Sequence, residues 1–306
     1  MSNLLVTGTT RAGKSIGVII TMIMRMLEGC SVIWADPQVM SSARLFWSMC
    51  QEVYLPCLLQ NNDDLSFDLV PHDFASDTGD PIKNRRVAED LAQCLASDRG
   101  MGHVSQYVQI MEHAIMFILT KMSTGLRFHQ MRDCWYRDKN AWIRERCTNP
   151  QCIEWMERLP TSLSSMNRET APARRFLEPL THGEAVKKFD WGQCPLAGMI
   201  NSGVSLAIEG GRVIPRKEHS FLLNHTIMTV MRLAEEGKLK RKVYVVLDEA
   251  EIHGVNPKIA QAMQSMSKYG LFFVLICQEP VFNDDLYPTT EVVMQNSNHF
   301  WFRCNS

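Results

Sequence analysis

No stretch of this sequence is apolar for long enough to cross a bilayer, which takes about 20 residues. The best candidate, Tyr107 to Met122, is interrupted by Gln109, Glu112 and His113, so it reads as a packed helix. No signal peptide is visible. Net charge is also nearly absent: 32 Lys and Arg against 33 Asp and Glu leave a formal −1. Bulk attraction to nucleic acid or to an anionic membrane is therefore excluded, and a nucleic-acid partner has to meet a local basic surface. Cysteine is sparse for a disulfide scaffold. The ten cysteines are dispersed along 306 residues, which fits a reducing, cytoplasmic compartment. Repeats, low-complexity tracts and obvious linkers are missing too. What remains is ordinary globular composition, 45% hydrophobic and 21% charged, with room for one large domain or two small ones.

Against that plain background one loop stands out. Residues Gly8 to Ser15 read G-T-T-R-A-G-K-S, which satisfies G-x-x-x-x-G-K-[ST] at every fixed position. Gly8 and Gly13 let the backbone bend so that successive N–H groups face a phosphate chain. Lys14 reaches the β- and γ-phosphates, and the Ser15 hydroxyl is a ligand for Mg²⁺. The predicted contact run is Gly8, Thr9, Thr10, Arg11, Ala12, Gly13, Lys14, Ser15 and Ile16. Leu4 to Val6 reads as a buried strand and Ile16 to Leu27 as a helix. The helix aims its positive dipole end at the same anion.

Further strands are expected at Ser31–Ala35, Val243–Leu247, Leu271–Cys277 and His299–Arg303. Helices are expected at Ser41–Glu52, Arg85–Asp98, Val104–Met122, His219–Glu236 and around Pro257–Tyr269. Asp63 to His72 looks extended, and Val204 to Ile214 is open between a hairpin and a strand. Alternation of this kind predicts an α/β fold, a mainly parallel sheet covered on both faces. The stretch of about 57–240 is too long for one crossover, so it reads as a mostly helical insertion in a single domain spanning 1–306.

Val243 to Leu247 ends in Asp248-Glu249. Adjacent carboxylates at a strand end need a cation or water to share them. Behind a phosphate loop, Asp248 is expected to hold Mg²⁺ through water and Glu249 to polarise the attacking water. Gln278, at the end of the next strand, is placed to sense the γ-phosphate.

The ordered set "VTGTTRAGKS", "VIWADPQ", "VYVVLDEAE", "MSKYGLFFVLICQEP" and "MQNSNHFWFRC" resembles the HerA–FtsK superfamily of DNA-pumping ATPases. The conjugative coupling proteins and HerA-like helicases are the members it looks most like. Asp36-Pro37, Lys268-Tyr269-Gly270, Gln278, Asn296 and Arg303 carry the likeness, as does "SLAIEGGRVIP". It covers both ends of the chain well and 57–200 poorly. The resemblance implies a RecA-like P-loop ATPase that uses ATP and Mg²⁺. It implies a homo-oligomer, a hexameric ring that hydrolyses ATP between subunits and draws DNA through a channel. Relaxase-type or secretion-system proteins are implied as partners, and the inner membrane is approached only through them. Where relatives have Arg-Lys before the glycine element, with the Arg as a finger on the neighbour's nucleotide, this chain has Ser267-Lys268. Lys268, or an Arg elsewhere, is the candidate substitute for that Arg. Relatives usually carry an N-terminal domain or anchor and often continue past the last strand; this sequence shows neither.

Three readings follow. One is a DNA-translocating motor for conjugation, DNA transfer or processing. Another is an accessory or degraded member that binds nucleotide and turns over weakly. The third is a motor for protein secretion. A DNA grip is sought in Lys121–Arg146, where Arg127, Arg132, Arg137, Lys139, Arg144 and Arg146 alternate with Phe128, Trp135, Tyr136 and Trp142. A solvated face with inward aromatics explains the same pattern. The basic turn Lys238–Lys242 is a second place to look. His129, Cys134, Cys147 and Cys152 form either a structural zinc site or a set of buried thiols.

Overall fold

Apolar residues run without interruption through Val243–Leu247 and Leu271–Cys277, and each run is a strand buried on both faces, as helices on either side require. The computed structural model describes residues 2–9, 13–38, 41–61, 77–96, 104–182, 196–211, 217–253, 255, 257–282 and 288–302. It divides into two compact units, Met1–Val70 with Pro195–Ser306, and Pro71–Cys194.

The first unit is a seven-stranded sheet in the order β3-β4-β2-β5-β6-β1-β7. Its strands are β1 (Asn3–Gly8), β2 (Ser31–Gln38), β3 (Cys57–Asn61), β4 (Ser205–Gly211), β5 (Val243–Asp248), β6 (Leu271–Cys277) and β7 (Ser297–Phe302). All six pairings are parallel. Helices α1 (Lys14–Leu27) and α2 (Ser42–Glu52) cover one face. α1 buries Val18, Ile19, Met22, Ile23 and Met26, spaced as one helical stripe. Each such side chain contributes about 1.5–3 kcal/mol when removed from water. α2 lays Phe46 on Trp34 of β2, with ring centroids 5.2 Å apart. The fold is thus an α/β P-loop type with a parallel sheet, as the strand–helix alternation requires.

The second unit is helical, with its main helices at Pro81–Ala96, Val104–Thr124, Pro150–Arg158 and Leu163–Phe176. Its core is aromatic: Phe117 stacks on Trp135 at 5.1 Å and lies 6.3 Å from Phe128. Among the described residues no helix is long and apolar enough to cross a membrane.

The sheet departs from expectation in one strand. Of the stretch of about 57–240 expected as an insertion, β3, β4 and helix Lys217–Glu235 belong to the sheet unit. β3 was not expected. Its sequence, CLLQN, ends in two polar residues, both buried. Val204–Ile214 resolves as strand β4, sandwiched between β3 and β2 rather than folded into a hairpin. Gly210 makes this possible, since a Cβ there would lie 1.9 Å from the Pro37 carbonyl oxygen. The extended segment expected at Asp63–His72 lies outside the described residues.

Candidate functional site

The first strand ends in a glycine for a measurable reason. Gly8 has φ +147°, and a Cβ there would sit 2.2 Å from the Phe302 carbonyl oxygen of β7. Gly13, at φ 77° and ψ 14°, caps α1 in the left-handed region. The first turn of α1 holds no acidic residue, so its N–H groups and dipole face outward as an anion site. Lys14 starts the helix and folds back, donating from Nζ to the Gly8 carbonyl at 2.5 Å and the Thr9 carbonyl at 3.0 Å. Ser15 is half-buried and Ile16 is exposed. Thr10, Arg11 and Ala12 lie outside the described residues.

Sheet register brings the acidic pair to this loop. Val6 of β1 pairs with Ile276 of β6, which pairs with Asp248 of β5, so the three lie in one row. Strands about 4.8 Å apart put that row's ends within reach of one phosphate chain. Ligands of open parallel sheets sit outside the carboxyl ends of the strands. Asp248 is buried, and its Oδ1 accepts from the Glu249 N–H at 3.0 Å. Glu249 has φ 51°, a left-handed backbone for a residue with a side chain. Its Oε2 accepts from the Gln38 amide at 2.6 Å. Burial pushes the Glu249 carboxyl up against the pull of the Gln38 hydrogen bond; Asp248 and Glu251 push it further, and Lys14 pulls it down. Gln278 follows β6, and its N–H donates to Glu251 Oε1 at 3.0 Å. The neighbouring Cys277 thiol is pushed to about 12 by burial.

Asp36 supports the same edge. Its carboxylate accepts from the Gln38 N–H at 2.9 Å, the Ser42 N–H at 3.0 Å and the Ser42 hydroxyl at 2.6 Å. Burial outweighs these donors and raises it to about 6.

Lys268 is not brought to this cluster. It lies in the 3-10 turn Met266–Tyr269 before β6, at the opposite end of that strand from Gln278, with Nζ 4.8 Å over the Tyr269 ring. Asn296 precedes β7 and accepts on its carbonyl from Asn3 at 3.1 Å; Arg303 lies outside the described residues. In the basic segment Phe128 and Trp135 are buried, while Arg127, Arg132, Arg137 and Arg146 are exposed. Arg241 of the second basic turn is committed to the Gly29 and Asn201 carbonyls at 3.2 and 3.1 Å. Cys134, Cys147 and Cys152 are buried free thiols, and no three metal-ligating side chains cluster among the described residues.

Sequence reasoning missed Gln38, Glu251 and the pair of Arg44 with the fully buried Glu209, 2.6 Å apart. Gln38 stood in the quoted "VIWADPQ". Its place at the end of a strand neighbouring the acidic one was the available signal.

The donors suit a hard cation. Ser15 and Asp248 offer oxygen, and Mg²⁺ needs only one or two protein oxygens beside phosphate and water.

No family model matches the chain, and no curated protein matches its sequence. Solved structures do match. The plasmid coupling protein TrwB, in complex with the non-hydrolysable ATP analogue ADPNP, superposes with a TM-score of 0.65 at 15% identity, covering 96% of this chain and 68% of that one. The chain has the fold of TrwB. TrwB in complex with ADP and Mg²⁺ gives 0.64 at 16% identity over the same shares. VirB4 of Thermoanaerobacter pseudethanolicus gives 0.55 at 13%, covering 98% of this chain and 76% of that one. The TrwB-like core supplies both the row of Val6, Ile276 and Asp248 and the loop above it.

Proposed function

We propose that this chain is the motor domain of an ATP-driven DNA translocase of the conjugation type, working as a homo-oligomeric, hexameric ring. One observation carries the reading: the Gly8–Ser15 loop, Asp248-Glu249 and Gln278 end adjacent strands of a sheet with the TrwB fold. TrwB is solved with an ATP analogue and with ADP and Mg²⁺, which supports ATP and Mg²⁺ as the ligands here.

In this reading Lys14 and the loop N–H groups hold the phosphates, and Ser15 and Asp248 hold Mg²⁺, which spreads the charge of the transferring group. Glu249 polarises the attacking water and takes up its proton as the water oxygen bonds to the γ-phosphorus; the bond to the bridging oxygen breaks, and ADP and phosphate leave. Gln278 reports the change to Glu251 and the short helix Ala250–His253. Lys268 acts, if anywhere, on a neighbour's nucleotide across the ring, because its own site is a strand length away, about 20 Å.

Hydrolysis measured with and without double-stranded DNA tests this, with Lys14→Ala and Glu249→Gln as controls. DNA-stimulated turnover that both substitutions abolish is expected. Turnover that ignores DNA at low salt sinks translocation and favours the protein-secretion motor. Ser267 in the finger position favours a second reading, an accessory subunit with weak turnover. Nucleotide binding without hydrolysis would select it.

A further inference from the structure

Glu249 needs to be held as well as placed. Its left-handed backbone sets where the side chain leaves the strand but not where the carboxylate ends. One hydrogen bond crosses from the neighbouring strand to fix it: Gln38 Nε2 donates to Glu249 Oε2 at 2.6 Å, 211 residues away in sequence.

Gln38 is itself held. β2 pairs with β5 in register through Ala35 and Leu247, and with β4 through Gln38 and Gly211. The Gln38 N–H donates to Asp36 Oδ1, and Asp36 is locked on Ser42 of α2. Gly210 lets β4 close against Pro37. The amide is therefore presented from a fixed strand end. It occupies Oε2 of the carboxylate.

We propose that Gln38 is a positioning residue for Glu249, fixing the carboxylate that polarises the attacking water. This rests on the reading of Glu249 given above. The charged groups around Glu249 are Asp248 and Glu251 from its own segment and Lys14 from α1. Among these neighbours the neutral Gln38 amide gives the carboxylate a directed hydrogen bond from a fixed strand end.

The test uses the full chain with Gln38→Ala and the near-isosteric Gln38→Glu. Two quantities are read, kcat and nucleotide affinity. Gln38→Ala is expected to lower kcat about tenfold to a hundredfold, with nucleotide affinity unchanged. Gln38→Glu keeps the length but removes the donor, and is expected to lose at least as much. An unchanged kcat in both variants overturns the proposal. So does a kcat loss matched by an equal loss of affinity, which marks a merely structural role. Wild-type protein without turnover overturns the motor reading alone, and the Gln38 side-chain amide proton shift, compared between wild type and Glu249→Ala, then decides whether the pair forms.

Discussion

Gly8 is where single-atom geometry decides most. A methyl group there meets the Phe302 carbonyl oxygen at 2.2 Å, on a backbone at φ +147°. Gly8→Ala is expected to destabilise the protein by ~1–3 kcal/mol and to abolish nucleotide binding, read by thermal melting and a fluorescent nucleotide titration. A variant that binds nucleotide normally would mean that the loop does not depend on this approach. At this scale the sequence is informative when the site is local. Gly8, Gly13, Lys14 and Ser15 fall within one turn of chain, so their spacing alone carries the chemistry. Gln38 and Glu249 meet across 211 residues, and no spacing rule reaches that far.

Helix α2 shows the same division between local and distant signals. Its N-cap residue, Ser41, makes no capping hydrogen bond. Asp36 caps it from outside, through Ser42. Burial raises the Asp36 carboxyl from its ordinary 3.8 to about 6. The folded state therefore binds the proton more tightly than the unfolded one. Stability from the neutral form is complete below about pH 4 and is lost as pH rises through about 6. Chemical unfolding between those limits is expected to show wild type losing ~1–2 kcal/mol relative to Asp36→Asn. A difference that stays flat with pH would refute this. Arg44 of α2 faces the buried Glu209 of β4 at 2.6 Å. Arg44→Ala takes the guanidinium from that carboxylate, which also accepts from Asn61, and a loss of about 3 kcal/mol is expected in urea melts. β1, β2, β5 and β6 were legible because unbroken apolar runs have one home in a parallel sheet. β3 was not, and β4 stayed open between a hairpin and a strand, because Gln60, Asn61 and Glu209 are buried polar residues. Their burial makes sense only once a partner from elsewhere is in place.

Over the whole molecule, a net charge of −1 leaves nucleic-acid contact to local patches. Arg132 and Arg137 are exposed beside an inward-facing Trp135. Arg132→Glu together with Arg137→Glu is expected to lower DNA-stimulated turnover about tenfold at 50 mM salt. The wild-type stimulation should itself fade as salt rises to about 200 mM. Equal stimulation in both proteins would move the DNA grip elsewhere. The length between two apolar strands is legible in the sequence, but which parts of that stretch join the sheet is not, since it depends on strand partners far away in the chain.

The sheet order also sets a timetable. β1, which carries the phosphate loop, pairs only with β6 and β7. Asn3 and Phe273, which share a hydrogen bond, are 270 residues apart. At a synthesis rate of about 5–20 residues per second, the loop's strand leaves the ribosome roughly 15–50 s before its first neighbour exists. Throughout that interval both edges of an apolar strand lack their proper neighbours. A nascent chain of this protein therefore has no sheet behind its phosphate loop until β6 has been made.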